Sequence, residues 1–274
     1  MTAATADVTA LVEHVAATVV RPRFRALVAG DVAEKTPGDV VTVVDQAAEV
    51  ALAAGLRELD PGAVVVGEEA VAADPSLLDA LAVVDRAYLV DPIDGTQAFV
   101  DGEGEYAVMV SRVERGEAVA TWVCLPEGEG TFVAERGSGA WLGDRRLTGP
   151  RTPDAVGELS GGVAEFYATP EQRAALAGVE FGPRVRRGGR LWSGYYYTRM
   201  ALGRADFLFY SRTHPWDHAP GAVLSRELCG AARTLDGLDY RPVGVVTALL
   251  VAASTESWDL VARVLPQDAF PRGG

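Results

Sequence analysis

The chain has 274 residues, 49% of them hydrophobic and 23% charged, a balance that supplies a full apolar core and excludes a disordered or collagen-like chain. Thirty-eight acidic residues against 25 basic ones leave a formal charge of −13, so the protein repels polyanions on average and no nucleic-acid polymer is expected as a partner. A phosphorylated ligand must then be met by local arginines or by a metal ion that reverses the sign of the site.

Two cysteines, Cys124 and Cys229, lie far apart with no CxxC pair and no His/Cys spacing for zinc; they read as reduced, buried thiols of a cytoplasmic protein. The first thirty residues carry Asp7, Glu13 and His14 before any uninterrupted apolar stretch, which is not the layout of a signal peptide. No run of about 18 uncharged apolar residues occurs, so neither a membrane span nor a membrane partner is expected. Lys35 is the only lysine, and asparagine is absent.

In chain order, residues 7–28 place Val8, Leu11, Val12, Val15, Val19, Phe24 and Leu27 at mostly helical spacing, which predicts a helix interrupted near Pro22. Residues 42–59 predict a second helix, closed by the turn Asp60-Pro61-Gly62. Residues 63–66 read as a short buried strand leading into Gly67-Glu68-Glu69, and residues 75–81 as a short helix. Residues 87–90 then form a strand that delivers Asp91-Pro92-Ile93-Asp94-Gly95-Thr96 at its C-terminal end. Residues 106–113, 118–124 and 131–135 predict an antiparallel meander, continued by the turn at Gly137-Ser138-Gly139. The turn-rich stretch 149–153 is the best candidate for an internal boundary, so the chain reads as one domain, 1–274, divisible into subdomains 1–150 and 151–274. In the second half, strands are predicted at 159–163, 206–210 and 248–253. Helices are predicted at 170–177, 193–202, 215–229 and 257–265.

Acidic residues are ordinary on a surface; the informative ones sit where a carboxylate is costly. Glu68 and Glu69 follow an apolar strand, Asp91 follows another, Asp94 comes three residues later, and Asp217 sits just inside a predicted helix. Taken singly, the glutamates read as a solvated strand end, Asp217 as a helix-start acid favoured by the dipole, and the Asp91–Thr96 stretch as an Asx-stabilised turn. Strand ends and helix starts are also where an α/β scaffold places its chemistry. Oxygen ligands without His or Cys suit Mg²⁺, and the amides of Gly95 and Thr96 at a helix start suit a phosphate.

The joint occurrence of these elements, in this order, resembles the inositol monophosphatase family. Gly67-Glu68-Glu69 matches its glycine-acid-acid element, Asp91-Pro92-Ile93-Asp94-Gly95-Thr96 its D-P-x-D-G-T element, and Trp216-Asp217-His218-Ala219 its W-D-x-A element. The stretch from Asp39 to Gln46 is similar to the upstream T-x-x-D segment, and Gly137 to Gly143 to the glycine-rich hairpin. The resemblance implies an α+β fold, a layered α-β-α-β-α sandwich of the sugar-phosphatase type. It also implies a Mg²⁺-dependent phosphomonoesterase, commonly homodimeric and often lithium-sensitive. By resemblance, Glu68, Asp91 and the Ile93 carbonyl hold one Mg²⁺, and Asp91, Asp94 and Asp217 hold a second. Glu68 helps with a third, with Asp45 beside it, so two or three ions are expected. Thr96, with Asp45 or Glu68, takes the proton of the attacking water, and Gly95 and Thr96 bind phosphate. Lys35 stands at the family's lysine position, where it is either a phosphate-side charge or an exposed loop residue; Glu69 and Arg190 are further candidates.

Departures from the family pattern bear on the substrate. Inositol-specific members place a glutamate seven residues before the metal aspartate, where this chain has Tyr210. Their small-residue pocket segment aligns with Leu191-Trp192-Ser193-Gly194-Tyr195-Tyr196-Tyr197, and many members have asparagine two residues after the threonine, where the stretch here is Thr96-Gln97-Ala98-Phe99. Trp192, Ser193, Tyr210, Arg212 and His214 are therefore the candidate substrate contacts in a flatter pocket. Trp192 and the three tyrosines either stack on a ring or pack as helix core. The expected substrate is a small phosphorylated metabolite, first inositol 1-phosphate or a similar polyol phosphate. Histidinol phosphate and 3′-phosphoadenosine 5′-phosphate are the enzymatic alternatives, and a catalytically silent metal- or phosphate-binding regulator is the non-enzymatic one.

Overall fold

The computed structural model of the chain describes residues 2–36, 38–149, 155–244 and 246–271. Helix α1 (Ala3–Val15) continues through a π-helical turn and a 3₁₀ turn to Arg23. Pro22 falls inside that 3₁₀ turn, where its missing N–H costs little, and the helical run ends beside it at Arg23, short of residue 28. This makes Ala3–Arg23 long and apolar enough, by length and composition alone, to cross a membrane, although it carries Asp7, Glu13, Arg21 and Arg23. The fold uses its apolar side otherwise: Val8, Val12, Val15, Ala16 and Val20 are buried in the core.

Strands β1 (Val32–Thr36) and β2 (Asp39–Thr42) form a separate antiparallel ribbon. No apolar alternation announced it, because β1 is almost wholly exposed. Helix α2 (Val43–Leu59) opens on a capping box: the Thr42 hydroxyl accepts from the amides of Val44 and Asp45, and Asp45 accepts from the Thr42 amide. The box places Asp45 rigidly at the head of the helix.

A seven-stranded sheet follows in sequential order: β3 (Val64–Gly67), β4 (Arg86–Asp94), β5 (Ala107–Glu114), β6 (Glu117–Leu125), β7 (Gly130–Glu135), β8 (Gly139–Leu142) and β9 (Arg145–Arg146). Only β3 and β4 are parallel; the crossover between them carries α3 (Glu68–Ala73) and a 3₁₀ run, Pro75–Ala82. Short α4 (Thr96–Asp101) follows β4. Strand β6 is buried from Ala118 to Leu125, a continuous apolar run that requires cover on both faces. Helices α1 and α2 supply one cover, and α7 (Pro215–Glu227) with α6 (Ser193–Ala201) the other.

The second sheet comprises β10 (Gly161–Ala164), β11 (Val185–Arg187), β12 (Phe207–Tyr210), β13 (Ala231–Arg233) and β14 (Leu249–Ala252), ordered β11-β10-β12-β14-β13. β11, β10 and β12 run parallel, and β14 is antiparallel to its neighbours. α5 (Pro170–Ala177) lies between β10 and β11 in sequence, and α8 (Thr255–Ala262) packs on β14 and β12. Because α7 touches both sheets, the layers run α1/α2, seven strands, α6/α7, five strands, α8. This is the α-β-α-β-α sandwich expected. One apolar cluster in the middle layer unites Val66, Met109 and Phe132 with Tyr197, Trp216, Val223 and Leu249.

The expected boundary at 149–153 lies outside the described residues apart from Gly149. Cys124 is buried as expected, but Cys229 is exposed. It follows the end of α7 in a left-handed conformation, φ 65°, which carries the chain out of the apolar layer.

Helices α6 and α7 approach closely at Gly221 of α7, where a Cβ would fall inside the van der Waals envelope of the fully buried Tyr197 ring. Gly221→Ala is therefore expected to destabilise the protein by about 1–3 kcal/mol, read as a lower midpoint in urea unfolding. An unchanged midpoint would show that α6 and α7 can separate at little cost.

Candidate active site

In an unbroken strand, residues three apart point to opposite faces. The register of β4 against β5 shifts between Asp91 and Asp94, where Pro92 offers no N–H to the ladder. The irregularity brings both carboxylates to one side, and Asp217 in the first turn of α7 meets them. One oxygen from each of Asp91, Asp94 and Asp217 lies within 4.8 Å of the others. Asp94 is fully held by the start of α6: its Oδ1 accepts from the Ser193 amide (3.1 Å) and hydroxyl (2.9 Å), and its Oδ2 from the Gly194 amide (2.8 Å). Position 194 needs glycine, since a Cβ would stand 2.7 Å from that of Ala107. Asp91 Oδ1, by contrast, is buried with no hydrogen-bond partner among the described residues.

Burial and mutual repulsion make this cluster reluctant to ionise. Asp91 is pushed well above the usual carboxylate range by burial and then by the charges of Glu68, Asp94 and Asp217. Asp217 is raised by burial and then by Asp94 and Glu68. Asp94 is pushed up to about 6 by burial, against the pull of its bonds from Gly194 and Ser193. Buried charges without partners are strongly unfavourable. A hard divalent cation would answer both the repulsion and the orphaned Asp91 oxygen, and the all-oxygen donor set fits Mg²⁺.

Glu68 stands apart from the triad. Its Oε1 accepts from Lys35 Nζ on β1 at 2.8 Å, and Glu69 Oε1 accepts from the same ammonium at 2.7 Å. Burial works against the Lys35 charge, but the two carboxylates outweigh it and hold its pKa above the ordinary lysine value. Glu69 rises to about 7 because burial exceeds the help it receives from Lys35. Behind them Glu49, unremarked in the sequence, accepts from the amides of Glu69 (2.8 Å) and Ala70 (2.9 Å) at the head of α3. Gly67 allows that approach, since any side chain there would collide with the Glu49 carboxyl. Its signal was present in principle: Glu49 lies one helical turn after Asp45 on α2.

Asp45 Oδ2 is occupied by the Thr42 amide and hydroxyl, which leaves Oδ1 for the Thr96 hydroxyl at 3.1 Å. The same hydroxyl lies 3.0 Å from the Ile93 carbonyl, so its single proton chooses between two acceptors. Burial lifts Asp45 to about 6, its bonds from Thr42 opposing the shift. Gly95 has φ +82°, and a Cβ there would stand 2.9 Å from the Glu105 carbonyl oxygen, so the turn requires glycine.

These groups surround one cavity of about 290 Å³. Its lining includes the predicted Lys35, Glu68, Asp91, Ile93, Asp94, Gly95, Thr96 and Asp217, and all of the predicted Arg190, Trp192, Ser193, Tyr210, Arg212 and His214. Asp45 and Glu69 stand outside that lining. Of the residues left open between ring stacking and core, Trp192 lines the cavity, whereas Tyr196 and Tyr197 are buried in the middle-layer core. Tyr197 also shares a 2.7 Å hydrogen bond with Nδ1 of His218, a cavity residue that the sequence reading missed. Burial drives the His218 pKa down to about 3, so it is neutral. The Tyr210 hydroxyl is buried without a partner.

Comparison with known proteins places these observations in context. A profile of the inositol monophosphatase family matches residues 3–267. The Nus factor SuhB of Pseudomonas aeruginosa is 31% identical over 212 residues, 74% of this chain and 75% of that protein. The fructose-1,6-bisphosphatase/inositol-1-monophosphatase of Thermotoga maritima is 28% identical over 215 residues, 76% of this chain and 77% of that one. Among solved structures, the Thermotoga maritima IMPase superposes with a TM-score of 0.76 at 23% identity over 94% of each chain, a likeness of fold.

Two outcomes follow from the electrostatics. Because the folded pKa of Asp91 lies above its unfolded value, the folded state holds the extra proton and loses stability as pH rises through the acid range. Without divalent ions, Asp91→Asn is expected to gain on the order of 1–3 kcal/mol over the parent protein at pH 7 and little at pH 4; millimolar Mg²⁺ should raise the melting temperature of the parent alone. Equal melting curves at both pH values would contradict the repulsive cluster. Glu49→Gln removes one of the two acceptor oxygens that serve the part-buried amides of Glu69 and Ala70 and should cost about 1–3 kcal/mol while weakening the Mg²⁺-induced melting shift. A shift retained in full would show that α3 holds Glu68 unaided.

Proposed function

Because the chain belongs to the inositol monophosphatase family, we propose that it is a Mg²⁺-dependent phosphomonoesterase of a small phosphorylated metabolite, with a polyol phosphate such as inositol 1-phosphate the first to test. The observation that carries this reading is the meeting of Asp91, Asp94 and Asp217 within 4.8 Å beside an orphaned carboxylate oxygen. Asp91, Asp94 and Asp217 would hold one Mg²⁺, and Glu68, Asp91 and the Ile93 carbonyl another. When bound, Mg²⁺ supplies positive charge against the phosphate and makes water more acidic.

The remaining chemistry belongs to the chain's own groups. The amides of Gly95 and Thr96 hold the phosphoryl oxygens. The Thr96 hydroxyl accepts the proton of the attacking water and passes its own to Asp45 Oδ1, which Thr42 keeps turned toward it. Proton transfer of this kind contributes about 10²–10⁴-fold to rate. Lys35 pairs with both Glu68 and Glu69 in the absence of metal, so metal and ammonium would compete for Glu68. No covalent phosphoenzyme is needed.

A second reading, a regulator that binds without turnover, draws on the name of the Pseudomonas aeruginosa relative, a Nus factor. Against it, Asp45, Glu68, Asp91, Asp94, Thr96 and Asp217 are all retained, and the charge of −13 disfavours RNA. Phosphate release from inositol 1-phosphate, histidinol phosphate, 3′-phosphoadenosine 5′-phosphate and fructose 1,6-bisphosphate, with Mg²⁺ and with chelator, separates the two. Chelator-sensitive turnover that falls about 100-fold or more in Thr96→Val is the expected result. Silence on the whole panel, with Mg²⁺ bound, would favour the regulator.

A further inference from the structure

The rim of the cavity is built differently from its acidic floor. Arg190 and Arg212 line it from separate segments, and among the described residues neither forms an ion pair with a carboxylate. The Arg190 guanidinium lies 4.1 Å from the centroid of Phe166 and 5.4 Å from that of Trp192, and it donates to the Gly38 carbonyl. Arg212 lies 4.6 Å from the centroid of Tyr167 and donates to His214 Nε2 at 2.6 Å. A guanidinium can only donate, so Nε2 is the acceptor and that imidazole is neutral. Burial, Arg212 and Lys35 together hold the His214 pKa down to about 4, and its ring stacks on Trp216 at 5.0 Å.

Aromatic faces, a carbonyl and a neutral imidazole hold both guanidiniums in place without cancelling their charge. The acids lining the cavity are Asp39, Glu68, Asp91, Asp94 and Asp217. Lys35 and the two proposed Mg²⁺ together match these five acids in charge, which leaves the two rim arginines without a carboxylate of their own. A phosphate ester of a neutral polyol would engage the floor and leave the two rim guanidiniums without an anionic partner. An ester carrying an amine, such as histidinol phosphate, would be repelled by them.

Resting on the phosphatase reading above, we propose that the substrate carries a second anionic group, a phosphate or carboxylate, which Arg190 and Arg212 clamp at the rim while the scissile phosphate sits on the floor and the Phe166, Tyr167 and Trp192 rings flank the scaffold between. The second group takes no part in bond making. Water oxygen bonds to phosphorus, the ester P–O bond breaks, and the leaving oxygen is protonated.

The test compares matched esters with and without the second phosphate: fructose 1,6-bisphosphate against fructose 1-phosphate, and 3′-phosphoadenosine 5′-phosphate against 3′-adenosine monophosphate, all with Mg²⁺. In at least one pair the doubly charged ester should show about tenfold or greater kcat/KM, chiefly through KM, with the gap narrowing as salt rises. Arg212→Gln, at an exposed position where folding is tolerant, and Arg190→Gln should each cut that ratio about tenfold. Arg190→Lys should retain part of it, separating charge from the packing on Phe166. If both monoesters are hydrolysed as well as their partners and neither variant moves the ratio, the second-anion clamp is overturned while the phosphatase reading stands. If no ester is hydrolysed, the phosphatase reading fails, and calorimetric binding of the same pairs to the Mg²⁺-loaded protein and to Arg212→Gln still judges the clamp: tighter binding of the bisphosphates, lost in the variant, upholds it, and equal binding overturns it.

Discussion

Everything about the site depends on negative charge held on largely buried side chains. Four of its carboxylates, those of Asp45, Asp91, Asp94 and Glu49, are buried, and each would destabilise the fold if left unanswered. Three are answered locally: Asp45 by the Thr42 capping box, Asp94 by the first amides of α6, and Glu49 by the first amides of α3. Asp91 alone keeps a buried oxygen with no donor among the described residues. The protein thus tolerates one unmet electrostatic demand, placed where three carboxylates converge, and a cation bound there would answer it where structural hydrogen bonds do not.

The layering converts this local chemistry into one site. β4 ends against the middle layer, so α6 and α7, drawn from a part of the chain about a hundred residues later, bring Ser193, Gly194 and Asp217 to Asp91 and Asp94. The same apolar cluster that binds the two sheets together contains Trp216, the residue preceding Asp217, and Tyr197, which bonds His218 on the other side. Packing in the middle layer and geometry at the carboxylates are therefore one constraint. A change at Tyr197 or Gly221 reaches the site through the position of α7.

The sequence showed the chemistry more clearly than the backbone that delivers it. Long helices and the meander were legible because an apolar face recurs with period 3.6 or 2; Asp91, Asp94, Thr96 and Asp217 were legible because their spacing matches a known family. The β1–β2 ribbon was not, since a strand without a buried face leaves no pattern. Strand β4 runs on to Asp94 instead of stopping at Val90, because the bulge that lets it do so depends on pairing with β5 and not on local propensity. The ion pair from Lys35 to both Glu68 and Glu69, the support from Glu49, and the exposure of Cys229 are tertiary facts: each is set by which elements come together. The choice between stacking and core for the aromatics near position 195 was likewise settled by helix phase, which turns Tyr196 and Tyr197 inward.

Charge changes sign between the floor of the cavity and its rim, and this reconciles an acidic protein with an anionic ligand. At a distance the charge of −13 repels phosphate esters, yet beyond a Debye length of about 8 Å that field is screened. What a ligand meets at the mouth is Arg190 and Arg212, oriented by aromatic faces; what it meets below is a group of carboxylates that repel it until a divalent cation reverses their sign. On the phosphatase reading an anion would reach the floor only after the metal is in place, whereas the metal would gain from the bare carboxylates without help from the anion. The proposed order of binding, metal before ester, would then follow from the distribution of charge.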